Sequence, residues 1–165
     1  MSDLKALMMA EPRRTLAVAE SLTCGRLQAL IGAISGASNF FLGGVTAYSL
    51  EQKVNLLRVD RAEAQASNCV SEKVARQMAR GACVLFGADV GVATTGYAES
   101  STEQGVRDPY AWWAVCYGAA NSPVVTTGRV SLPGLARVEV QERVAQAAYD
   151  ALLESLRARA ARYTT

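Results

Sequence analysis

Histidine is absent from this chain. Its absence removes Ser-His-Asp and Cys-His catalysis, HExxH zinc hydrolysis and imidazole proton shuttling together. Paired cysteines are lacking too. Cys24, Cys69, Cys83 and Cys116 lie far apart, mainly in apolar segments and without a CxxC spacing, which predicts reduced core thiols rather than metal ligands or a redox motif. No block of one charge exists: 17 basic residues are scattered among 15 acidic ones for a net charge of +2, so no nucleic-acid partner is expected. Met1 to Arg14 is broken by Asp3, Lys5, Glu11, Arg13 and Arg14 and holds no apolar run long enough for a signal peptide or a membrane span. The expected location is therefore the cytoplasm, with no membrane partner.

What is present reads as one domain. The 165 residues are half hydrophobic, enough for a packed core in a single domain over 1–165. Thr15 to Ala19 is a short apolar run ending in Glu20-Ser21, the pattern of a buried strand entering a loop. Leu27, Leu30, Ile31 and Ile34 form the stripe of a helix that Gly36 stops. Gly43 to Ser49 alternates as a strand, and helical spacing returns over Glu51 to Leu57. Ser71 caps a long amphipathic helix carrying Val74, Met78, Ala82 and Leu85, which Gly87 ends. Asp89 to Thr95, Trp112 to Tyr117 and Val124 to Val130 read as three further strands, the last two joined through Asn121, Ser122 and Pro123. Gly96 to Pro109 is then a loop. A final amphipathic helix carries Val140, Val144, Ala148, Leu152 and Leu156, with Arg157, Arg159 and Arg162 near its negative end. Helices alternating with strands, followed by adjacent strands and a closing helix, predict an α/β fold: a three-layer α/β/α sandwich with a mixed central sheet.

Without histidine, a hydrolase can use a serine whose proton is taken by a lysine of lowered pKa. The chain has three lysines. Lys5 sits in a terminus expected to fray, and Lys73 lies on the polar side of the long helix. Lys53 remains. It follows a strand preceded by Gly36-Ala37-Ser38, and Tyr48 ends that strand with a hydroxyl able to relay or orient a proton. Ser38, Lys53 and Tyr48 are the candidate catalytic trio.

Several ordered motifs resemble one known family. Ala19-Glu20-Ser21-Leu22-Thr23-Cys24-Gly25, Gly36-Ala37-Ser38, Val45 to Lys53, Val70 to Ala75, Met78-Ala79-Arg80-Gly81, Ala88-Asp89 and Thr95-Gly96-Tyr97-Ala98 are similar to the CinA C-terminal-domain family, the nicotinamide mononucleotide deamidases. The resemblance runs in register over roughly residues 14 to 98 and continues as pattern to the last helix. It implies hydrolysis of the nicotinamide mononucleotide carboxamide to nicotinic acid mononucleotide and ammonia. It also implies no metal or organic cofactor, a small nucleotide as partner, and the serine, lysine and assisting tyrosine at Ser38, Lys53 and Tyr48. On that reading N–H groups near the Gly36 turn stabilise the oxyanion. The Glu20-to-Gly25 loop, leading into a helix, is expected to hold an anionic phosphate through its N–H groups and the Ser21 and Thr23 hydroxyls, with Gly25 beside them. Thr95 and Gly96, ending a central strand, are expected substrate contacts. Arg143 is aligned with the family's arginine ahead of the last helix.

The sequence also departs from the family pattern. Cys24 stands where the family has glycine, and Glu99 stands in a loop the family makes glycine-rich, with Arg107 as the expected compensating cation. Leu132-Pro133-Gly134-Leu135 replaces a polar run before the last helix. These changes keep two alternatives open: an enzyme of the same mechanism acting on another small amide or nucleotide, and a catalytically silent binding domain. Adjacent Trp112 and Trp113 point to opposite sheet faces, which leaves at least one to be covered by a helix or a partner and favours a homodimer.

Overall fold

A computed structural model describes residues 3–118 and 123–161. Five strands form one sheet in the order β2-β1-β3-β4-β5. They are β1 (Leu16–Glu20), β2 (Phe41–Thr46), β3 (Val90–Tyr97), β4 (Tyr110–Tyr117) and β5 (Val124–Ser131). β1 runs parallel to β2 and β3, whereas β3, β4 and β5 are mutually antiparallel, so the sheet is mixed as expected. Six helices flank it: α1 (Asp3–Met9), α2 (Arg26–Gly32), α3 (Leu50–Leu57), α4 (Arg61–Ala66), α5 (Glu72–Phe86) and α6 (Arg137–Ala161). Among the described residues no helix is long and apolar enough to cross a membrane.

Alternation along β1 sets the two layers. Leu16 and Val18 point into one core with Leu4 and Met8 of α1, Leu27 and Ile31 of α2, and Leu152 and Leu156 of α6. Ala17 and Ala19 point into the other, with Leu57 of α3 and Val74, Ala75, Met78 and Ala79 of α5. The second face is built from small side chains, which lets α5 lie close to the sheet. Each indole is half-buried against a different layer, Trp113 with the α1/α2/α6 core and Trp112 with the α5 core. The chain's own helices thus provide the cover for which a partner subunit was considered.

Several boundaries differ from the sequence expectations. The terminus expected to fray forms α1, because Leu4 and Met8 are fully buried and Asp3 pairs with Arg157 of α6. α2 ends at Gly32, four residues before the expected stop at Gly36; Gly36 instead takes a left-handed φ of 80° ahead of a short 3-10 helix, Ala37–Asn39. α4 has only Ala64 buried, too faint a stripe to read from sequence. β2 ends at Thr46, so Tyr48 lies past the strand rather than at its end. Arg159 stacks over the Tyr117 ring at 4.2 Å, a structural use of the basic end of α6. Asn121, Ser122 and Arg162 lie outside the described residues.

The close approach of α5 to α3 depends on Gly81. A Cβ there would come within 2.2 Å of the Leu57 carbonyl oxygen, a backbone atom with nowhere to go. Gly81→Ala is expected to lower stability by about 1–3 kcal/mol through overpacking, read as a lower urea midpoint at unchanged slope. An unchanged midpoint would mean that α3 is not fixed at this crossing.

Candidate active site

The loops leaving β1 and β2 diverge, one to α2 on the first face and the other to α3 on the second, and this opens a crevice beyond the carboxyl ends of the parallel strands. A cavity of about 460 Å³ lies there. Its lining draws on the turn after β1 (Ser21), the loop after β2 (Tyr48), α3 (Lys53), the α4–α5 turn (Asn68, Cys69), the end of β3 and the loop beyond it (Thr95 to Ser101), and the start of α6 (Arg137).

Glu20, the last residue of β1, is fully buried and fixes the turn that follows. Its Oε2 accepts the Gly25 and Leu27 N–H groups, each at 3.1 Å, and its Oε1 accepts the Gln28 N–H at 2.9 Å. The carboxylate therefore satisfies the first turn of α2, whose N-cap Gly25 offers no side chain. This corrects the expected phosphate loop: the N–H groups awaiting an anion are already occupied by an internal one. Thr23 is fully buried and shares a hydrogen bond with Thr94 at 2.8 Å, and neither it nor Gly25 lines the cavity. Cys24, at φ 48°, is exposed and also outside the lining.

Lys53 is 1 % exposed. α3 places it there because Ser49 caps the helix and the lysine stem runs back beneath the turn before it. Its Nζ lies 2.9 Å from Ser21 Oγ, 2.9 Å from the Ala47 carbonyl and 3.0 Å from the Tyr48 carbonyl. Burial pushes the Lys53 pKa below its ordinary 10.5, opposed in part by the neighbouring Cys69 side chain. The partner set decides what each protonation state does. A charged ammonium donates all three protons, one to Ser21. A neutral amine gives its two protons to the carbonyls, which can only accept, and its lone pair is left facing the Ser21 hydroxyl. That is the arrangement of a general base on a nucleophile.

Ser21, not Ser38, is thus the serine on Lys53. Ser38 lies in the 3-10 helix ahead of the amino end of β2, is exposed, and is absent from the lining, whereas Tyr48 and Lys53 follow the carboxyl end of the same strand. Six strand residues separate the two ends by about 20 Å. The Gly36 turn is at that far end as well. Tyr48 meets Lys53 through its carbonyl, while its hydroxyl accepts from Arg137 Nη2 at 3.0 Å.

Thr95 and Gly96 both line the cavity. Thr95 Oγ1 donates to the Cys69 carbonyl at 2.6 Å. Gly96 is pressed against β4, where a Cβ would come within 2.5 Å of the Tyr110 carbonyl oxygen. Arg143 is exposed on α6 and outside the lining; the arginine at the cavity is Arg137, one and a half turns earlier. Its Nη1 lies 2.5 Å from Glu99 Oε1, so the carboxylate flagged in the sequence is compensated by Arg137 rather than Arg107. Sequence reading missed Asn68, Cys69 and Arg137. Asn68 and Cys69 both take left-handed φ values, 47° and 63°, and nothing in their neighbourhood signals that turn. Arg137 could have been found as the first basic residue after the Pro133-Gly134 break. Leu132 and Leu135 pack with Leu22 and Ala98 beneath the cavity, a support in place of the expected polar run.

Glu20→Gln is expected to cost about 3 kcal/mol, because an amide has one acceptor oxygen and turns a donor toward N–H groups that the carboxylate satisfied. Chemical denaturation measures it, and a loss below about 1 kcal/mol would show that the turn is held elsewhere.

Comparison with known proteins matches this geometry to a group. The CinA C-terminal domain family model matches residues 2–156. A CinA-like protein of Picosynechococcus is 47% identical over 95 residues, 58% of this chain and 23% of that protein. Another, of Chlorobium limicola, is 38% identical over 146 residues, 86% of this chain and 33% of that protein. The chain thus spans about a third or less of the length of these curated relatives. The crystal structure of the competence damage-inducible protein A of Klebsiella pneumoniae superposes with a TM-score of 0.84 at 29% identity, covering 93% of this chain and 92% of that one. The chain belongs to the CinA C-terminal domain family.

Proposed function

We propose that the chain is a serine-lysine amidohydrolase in which Ser21 is the nucleophile and Lys53 its base. The observation that carries the reading is the 2.9 Å contact between Lys53 Nζ and Ser21 Oγ, with both residues in the wall of the cavity. Lys53 takes the hydroxyl proton as Ser21 Oγ attacks the amide carbon. The same proton then passes from Lys53 to the departing nitrogen, leaving an acyl-serine and ammonia. Water, deprotonated by Lys53 in turn, releases the acid. Thr95 and Gly96 flank the cavity on the β3 side and bound the space for the amide.

The motif resemblance supports the carboxamide of nicotinamide mononucleotide as substrate, converted to nicotinic acid mononucleotide with neither metal nor organic cofactor. A different amide is favoured by one observation, the Glu99 carboxylate at the cavity where a phosphate would have to pass.

Ammonia release from a panel of nicotinamide mononucleotide, its riboside and simple amides tests the mechanism. Ser21→Ala and Lys53→Ala are expected to lower turnover by roughly 10⁴-fold, and Ser38→Ala to leave it within a few-fold. Loss on Ser38→Ala with Ser21→Ala active would reverse the assignment. Because Lys53 acts as a neutral base with a pKa held below 10.5, the rate is expected to rise with pH and level off before the ordinary lysine range. A profile still rising beyond it would rule out a buried base.

A further inference from the structure

The cavity wall carries three charged side chains, Lys53, Glu99 and Arg137. Lys53 is enclosed by Ser21 and two carbonyls and, as a base, works uncharged. Arg137 is engaged twice, by Glu99 and by the Tyr48 hydroxyl. A substrate bearing an anion therefore finds its one exposed cation already paired and meets a carboxylate beside it. A cationic ring meets the opposite. The Glu99 side chain stays 64% exposed while holding Arg137, which leaves it open to a second positive charge. Two tyrosines, Tyr48 and Tyr97, line the same space. Tyr97 packs on Tyr110 with ring centroids 5.5 Å apart, and Tyr110 already holds a cation, the Arg129 guanidinium 4.2 Å from its centroid. Aromatic faces and an unneutralised carboxylate edge are the chemistry that recognises a delocalised cation.

We infer that the site takes a cationic aromatic amide carrying no anionic group, an N-alkylated pyridinium carboxamide, and that Glu99 is the specificity-determining residue that disfavours the phosphorylated counterpart. This rests on the amidohydrolase reading of the same cavity. Glu99 acts in two ways: it attracts the ring charge, and it keeps Arg137 from serving as an anion ligand. Replacing it with glutamine removes the repulsion and releases Arg137 together.

Calorimetric titration of wild type and Glu99→Gln with 1-methylnicotinamide, nicotinamide and nicotinamide mononucleotide tests the inference without needing turnover. Wild type is expected to bind 1-methylnicotinamide about tenfold or more tighter than either of the others, roughly the effect of one well-placed charge. Glu99→Gln is expected to erase the preference over nicotinamide and to reverse that over the mononucleotide. Tighter binding of the mononucleotide by wild type, the same preference in both proteins, or no binding of any of the three would overturn it. Ammonia assays on the same samples separate the two readings. Selective binding without ammonia from any amide defeats the amidohydrolase alone, and ammonia released preferentially from the mononucleotide defeats the specificity alone.

Discussion

The buried carboxylate of Glu20 organises the end of the sheet on which everything else is mounted. A charge this deep persists only when its oxygens are engaged, and three backbone N–H groups of the α2 turn engage them. The arrangement is reciprocal, because the same N–H groups would otherwise be orphaned at a helix start that has no capping side chain. Ser21 is the next residue, its N–H bound to the Thr94 carbonyl at 3.1 Å, so its hydroxyl has little freedom except to face the cavity. Site geometry thus descends from a capping interaction rather than from any contact with substrate.

Lys53 works under the complementary constraint. Its helix is short, but Ser49 caps it and the two carbonyls of Ala47 and Tyr48 receive the amine at the end of a stem that is itself fully covered. Carbonyls solvate an ammonium less well than water does, so the cost of burial falls on the charged form and the neutral amine becomes accessible. A buried lysine with no carboxylate among its hydrogen-bond partners differs in this respect from Lys73, whose pairing with Glu63 raises its pKa and keeps it charged.

Much of the layer structure was legible in the sequence. The strands over β1, β3, β4 and β5 and the helices α5 and α6 follow from strong apolar periods and clear ends, Ser71 and Gly87 above all. What escaped was tertiary in origin. Glu20 resembles a loop entrance because its partners stand five to eight residues on, and α1 resembles a frayed end because its burial comes from distant α6. The choice of Ser38 over Ser21 was a failure of topology that sequence could have avoided: a serine before a strand and a lysine after it sit at opposite ends of that strand. Arg137 and Cys69 reach the cavity through turns whose directions no local pattern specifies.

Tyr48 divides its labour between backbone and side chain. Its carbonyl, which any residue type would supply, helps hold the base, while its hydroxyl belongs to the Arg137 and Glu99 arrangement. Reactivity and choice of substrate are therefore written in separable parts of one residue. Substitutions at positions 48, 99 and 137 are free to remodel what enters the cavity while the main chain beneath keeps the amine in place, so a lineage can change its substrate without first dismantling its chemistry.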